Sequence, residues 1–182
     1  MENVLQEERT GTGCDIAVIR PELRIEDCKV RGRDMTPDRL SNIKKGLLTL
    51  HTLELMAMTI YKFQIAAGHD DEFRRQLVAA MCNEMTHYQD FQIKLYEYGF
   101  KPGKLRFLFW IVGFVFGFGS RLLGAKWILK TGVWVETKAV HHYYTLLKTI
   151  DWDDDTRKVI EKDGADEDGH VARWLGLLKT ME

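Results

Sequence analysis

Two short motifs of one form, Glu84-x-x-His87 and Glu167-x-x-His170, each follow a lone glutamate set in apolar sequence, Glu54 and Glu136. The interval is 30 residues from Glu54 to Glu84 and 31 from Glu136 to Glu167. A helix rises about 1.5 Å per residue, so such an interval takes the chain from the middle of one helix, around a turn, and back to the same height on the next. Residues at i and i+3 share a helix face, so each Glu-x-x-His offers a carboxylate and an imidazole in one direction. The pattern occurs twice and therefore predicts two helical hairpins that bring four glutamates and two histidines to one level.

An isolated Glu-x-x-His is more often a solvated helix face than a ligand pair. The neighbours here resist that reading. Glu54 lies between Leu53 and Leu55, with Leu50, Met58 and Tyr61 on adjacent turns, and Glu136 follows Val133, Trp134 and Val135. An unpaired carboxylate buried on an apolar face is strongly destabilising, so these positions imply a partner. Carboxylates bridge cations and offset their charge, and imidazole suits iron. Four Glu and two His at these spacings are the ligand set of ferritin-like di-iron bundles. Glu54, Glu84, His87, Glu136, Glu167 and His170 are therefore the expected ligands of two iron ions, in an all-α, ferritin-like four-helix bundle. Ligand type alone leaves manganese open as the metal.

Thr36-Pro37-Asp38 reads as a helix start: a capping hydroxyl, proline at the first helical position, and an acid in the first turn. The first helix is expected to run to about Gly68, and the second from Asp70 or Asp71 to about Gly99. The third spans roughly Ala125 to Ile150, and the fourth begins within the acidic stretch Asp151 to Asp155 and ends near Met181. Residues 1–35 read as an N-terminal extension with at most short structure, and residues 36–182 as the bundle. Between the two helix pairs lies Phe107 to Phe118, FLFWIVGFVFGF, a long apolar crossover. Crossing a bilayer takes about 20 apolar residues, so a span is not expected. Two readings stay open for this segment. It is a buried core helix, or it lies in the surface of an anionic membrane, as the flanking Lys101, Lys104, Arg106, Arg121, Lys126 and Lys130 suggest.

The chain has 182 residues, 45% of them hydrophobic, and a net charge of −1, which suits one globular domain and gives no reason to expect a nucleic-acid partner. Cys14, Cys28 and Cys82 are odd in number and lack CxxC spacing, which points to a reducing, cytoplasmic setting. The N-terminal MENVLQEERT reads as neither a signal nor a transit peptide. His142 follows Glu136 by six residues, near the same face, and is placed to orient a ligand. His51 and His141 read more simply as satisfied or solvated histidines. Tyr61 and Tyr143 fall one to two turns from ligands, where core packing and electron traffic are equal alternatives. Asp166 and Asp168 flank the last motif and are expected to face solvent or to support the ligands.

Beyond the ligands, the chain resembles the demethoxyubiquinone hydroxylases. The matching elements are Glu54 followed by Ile60-Tyr61, Glu84-x-x-His87, the segment LFWIVGFVFGFGSRLLG, and Val135-Glu136 followed by His141-His142-Tyr143. The resemblance covers roughly residues 46–177. It implies a peripheral-membrane di-iron monooxygenase that uses dioxygen and NADH-derived electrons to hydroxylate the ring of a polyprenyl quinone. It further implies that residues 105–123 dock on the membrane and that His142 and Tyr143 serve proton or electron delivery. A homo-oligomer or a lipid-delivering partner is left open. Gly169, inside the fourth-helix motif, departs from the family pattern and is a place where the helix could bend, and residues 1–45 have no counterpart. The rival readings are a rubrerythrin-like peroxide reductase or oxidase and a non-catalytic iron-binding protein.

Overall fold

The structure, a computed structural model, describes residues 24–66 and 68–181. Residues 1–23 of the expected extension, Cys14 among them, lie outside the described residues. Five α-helices make up the described chain: α1 (Pro37–Gln64), α2 (Asp71–Glu97), α3 (Arg106–Leu123), α4 (Ala125–Thr149) and α5 (Asp154–Lys179). Local chemistry sets their starts. The Thr36 hydroxyl accepts from Arg39 N, Asp70 Oδ1 accepts from Phe73 N at 3.0 Å, and Asp153 Oδ1 accepts from Thr156 N at 3.2 Å. Each cap satisfies a backbone donor that the first helical turn leaves unpaired. Helix α1 stops at Gln64, four residues short of the expected Gly68. Helix α5 runs unbroken through Gly169, where an added Cβ would meet open space, so this glycine does not end or interrupt it.

The pairs α1–α2 and α4–α5 pack side by side, and contacts of α1 with α4 and α2 with α5 close the bundle. Its interior has three layers. At one end Ile43, Leu47, Leu50, Phe91, Leu95, Tyr143, Trp152 and Ile160 form an apolar cluster. At the other end Tyr61, Leu77, Ala80, Ile128, Leu129 and Trp174 form a second. On every bundle helix the ligand positions fall between these clusters, so a polar layer is held between two apolar ones.

Helix α3 carries the chain back along α1, and two glycines allow the close approach. A Cβ on Gly113 would lie 2.7 Å from Met56 O, and one on Gly117 2.5 Å from Ile60 O. The Gln64 amide completes the contact by donating to Ser120 Oγ at 3.0 Å. Only Gly113, Gly117 and Ser120 of α3 are buried, while Phe107, Trp110, Ile111, Val115, Phe116 and Leu122 stay exposed. The core-helix reading of this segment is therefore set aside. By length and composition alone, α3 is long and apolar enough to cross a membrane. Gly124, at φ 92°, turns the chain directly into α4.

The described part of the extension holds one 3-10 turn, Ile25–Asp27, and then straps the end of the bundle where α2 finishes and α5 begins. Arg31 lies between those two ends, with Nε 2.6 Å from Glu97 Oε2 and Nη1 2.6 Å from Asp153 Oδ1. Hydrogen bonds from Tyr98 and Thr156, with the Arg31 charge, hold the Asp153 carboxyl below its ordinary range despite the opposing effect of burial, and Glu97 is lowered likewise by Lys94 and Arg31.

Candidate metal centre

All six expected ligands are buried and converge on the middle layer. Helix α1 supplies Glu54, α2 supplies Glu84 and His87, α4 supplies Glu136, and α5 supplies Glu167 and His170. His87 Nδ1 lies 3.0 Å from Glu167 Oε1, 3.8 Å from Glu54 Oε2 and 4.0 Å from Glu84 Oε2. His170 Nδ1 lies 3.1 Å from Glu84 Oε1, 3.6 Å from Glu167 Oε2 and 3.8 Å from Glu136 Oε1. Two four-residue groups result, Glu54–Glu84–His87–Glu167 and Glu84–Glu136–Glu167–His170, each with its ligand atoms within 4.8 Å of one another. Glu84 and Glu167 belong to both, so they would lie between two ions, with Glu54 and Glu136 each facing one.

The fit to metal rests on atoms that the protein itself does not satisfy. Both oxygens of Glu84 and of Glu167, Glu136 Oε2, and the Nδ1 atoms of His87 and His170 are buried without a hydrogen-bond partner. Buried polar atoms are nearly always paired, so such a concentration at one point calls for a cation. Four carboxylates with two neutral imidazoles carry a charge that two divalent cations cancel. Without metal, burial and crowding shift the four carboxylates and His87. Burial and then the Glu167 charge push Glu54 up to about 7, and the same two causes carry Glu84 and Glu136 well above the usual carboxylate range. Burial acts against the charged forms of Glu167 and His87 as well. The approach of His170 and then of His87 outweighs it and holds Glu167 at about 2, and Glu167, Glu54 and Asp163 drive His87 up to about 10.

An outer ring fixes the ligands. Tyr143 OH donates to Glu54 Oε1 at 2.7 Å, and Tyr61 OH donates to Glu136 Oε1 while accepting from Trp174 Nε1 at 2.8 Å. His87 Nε2 is 3.3 Å from Asp166 Oδ2, and His170 Nε2 is 3.1 Å from the Asn83 amide. At His87 the outer partner is a carboxylate, which takes the Nε2 proton in a hydrogen bond and leaves Nδ1 facing inward, the arrangement that raises ligand basicity at metal sites.

His142 is half-buried and makes a ring contact with His141, at 6.1 Å between centroids. Among the described residues it makes no hydrogen bond to the cluster. His141 is exposed, and His51 is buried against Tyr88 with Nε2 3.4 Å from Gln92 Oε1. Asp168 lies outside and accepts from Tyr144 OH at 2.6 Å. Three contributors escaped the sequence reading: Asn83, Asp163 and Trp174. Positions 163, 167, 170 and 174 follow each other at helical spacing on one face of α5, a signal that would have found the last two. Asn83 immediately precedes Glu84 and carries no periodic signal of its own.

Helices that present buried carboxylate and imidazole groups from four sides define a class: a ferritin-like bundle with a centre able to hold metal. Residues 43–174 match the family described as ubiquinone biosynthesis protein COQ7, and the chain belongs to that family, the demethoxyubiquinone hydroxylases of di-iron type. The match spans all six ligand positions and ends at Trp174. No curated protein matches the chain.

Proposed function

We propose that this chain is a di-iron monooxygenase that hydroxylates the ring of a membrane-borne demethoxyquinone, with NADH-derived electrons. The observation that carries the reading is the join between the buried centre and the exposed apolar helix. A cavity of about 30 Å³ reaches Glu54 between α1 and α4, lined by Leu53, Met56, Ala57, Trp134, Val135, Lys138 and Ala139. Trp134 at its rim stacks on Phe116 of α3, with centroids 5.3 Å apart and planes at 19°. A flat, apolar ring leaving a lipid surface at α3 would meet a narrow apolar slot that leads to Glu54 and would have to part Trp134 from α1 to enter it.

Each group has a task in this reading. The exposed face of α3, within residues 105–123, lies in the membrane surface, and Lys101, Lys104, Arg106, Arg121, Lys126 and Lys130 face anionic headgroups. Leu53, Met56, Ala57 and Val135 exclude water from the reacting ring. Glu54, Glu84, His87, Glu136, Glu167 and His170 hold two iron ions, which when bound would activate dioxygen. Tyr143 holds a proton 2.7 Å from Glu54 Oε1, and Tyr61 holds one at Glu136. His142, half-buried on the same helix as Tyr143, is the candidate for carrying protons between solvent and the centre in this reading.

The test is turnover of iron-loaded protein with a short-tailed demethoxyquinone, NADH and oxygen-18 gas, read by mass spectrometry. The expected product is two mass units heavier than with ordinary oxygen, and it is absent with Glu136→Ala. Consumption of peroxide without labelled product would refute the proposal in favour of a rubrerythrin-like peroxide reductase.

A further inference from the structure

A second concentration of acid lies on the outer side of His87, away from the ring of six. Asp163, Asp166 and His87 Nε2 bring ligand atoms within 4.8 Å of one another. Asp163, one turn before Glu167 on α5, is fully buried. Its Oδ1 accepts from Lys162 Nζ at 2.9 Å and lies 3.9 Å from His87 Nε2, while its Oδ2 has no hydrogen-bond partner. The Asp166 side chain is 46% exposed. The two carboxylates thus form a short path from solvent to the back of a metal-facing histidine.

A cation already stands on this path. Lys162 Nζ lies 2.9 Å from Asp163, 3.8 Å from Asp90 and 4.0 Å from Asp166, and its side chain is 60% exposed. The ammonium sits on a long, solvated stem that can swing away, and one buried Asp163 oxygen beside it is empty. Hard divalent cations are bound by such oxygen pairs. The inner ligands are at most 1% exposed, so an ion reaching them must shed its water on the way.

We propose that Asp163 and Asp166 form an outer divalent-cation site, with Lys162 as its exchangeable counter-ion, through which metal passes between α2 and α5 to the inner centre. The arriving ion displaces the Lys162 ammonium into solvent and trades bound water for the two carboxylates. His87 separates the two sites, with Nε2 facing the outer one and Nδ1 the inner. This inference rests on the metal-binding reading of the inner centre.

The full-length, metal-free protein is titrated with Mn(II), with free Mn(II) followed by electron paramagnetic resonance, and Co(II) uptake is timed by stopped-flow absorbance. Wild type is expected to bind three equivalents, two tightly and one more weakly. Asp163→Asn, nearly isosteric, should bind two and fill the inner pair at least tenfold more slowly. Lys162→Ala alters an exposed side chain and should tighten the third equivalent at least fivefold. A wild type that saturates at two equivalents would overturn the outer site alone, as would an Asp163→Asn protein that keeps the third or loads at the wild-type rate. A wild type that binds no metal would overturn the inner centre and the outer site together.

Discussion

Glu54→Gln should flatten the pH dependence of stability in the metal-free protein. Burial and the Glu167 charge raise the Glu54 carboxyl from 4.5 to about 7. The folded state therefore keeps this proton where the unfolded state has released it. The stabilisation is fully present below pH 4.5 and is lost as pH rises towards 7. A shift of that size corresponds to about 3 kcal/mol at 1.36 kcal/mol per unit. For a chain of this length that is about 10 °C in Tm, at about 2–4 °C per kcal/mol. Several other groups are constant between pH 4.5 and 6.5. Glu167, held at about 2, keeps its contribution above 4.5, and His87, raised to about 10, keeps its own below 6.5. Glu84 and Glu136 act in the same direction as Glu54, whereas burial lowers His51, which opposes them. The informative quantity is therefore the difference between wild type and Glu54→Gln, in chelator-treated protein, by thermal melts from pH 4.5 to 7. Glu54→Gln should gain on wild type across this range by about 3 kcal/mol, and ferrous iron should cancel the gain. Parallel pH curves for the two proteins would refute the reasoning.

Tyr143→Phe removes the hydrogen bond to Glu54 Oε1 and should weaken metal binding about 10- to 100-fold with little change in helix content, as read by competition with a chelator. Gly117→Leu places a Cβ 2.5 Å from Ile60 O, a backbone atom that cannot yield, and should cost about 1–3 kcal/mol in denaturant unfolding. Gly119→Ala, where the added Cβ meets open space, should be neutral or stabilising in the same experiment. Arg31→Ala leaves Glu97 without the guanidinium and should cost about 2 kcal/mol. The lowered Glu97 and Asp153 stabilise above their unfolded values and lose that contribution as pH falls, so the wild-type advantage over Arg31→Ala should shrink below pH 4 in acid titration.

The sequence by itself determined the helices and the level at which they meet. Caps at Thr36 and Asp70 and the acidic start before Asp154 are local backbone chemistry, and the 30- and 31-residue intervals are helix rise; both depend on residues close in the chain. The same local logic placed all six carboxylate and imidazole residues as candidates. Which of them share ions was another matter. Glu54 and Glu84 look alike in sequence, and only the packing of α2 on α5 puts Glu84 and Glu167 into both groups and leaves Glu54 and Glu136 in one each. The apolar crossover was equally ambiguous, because composition records apolarity without recording what covers it. Gly113 and Gly117 bring α3 close to α1 along one narrow seam, and most of the helix's large apolar side chains stay exposed beyond it. Tyr61, Trp174, Asn83 and Asp163 acquire their roles only through partners between 75 and 113 positions away. Periodicity reports which face a residue occupies; the tertiary fold alone decides what that face meets.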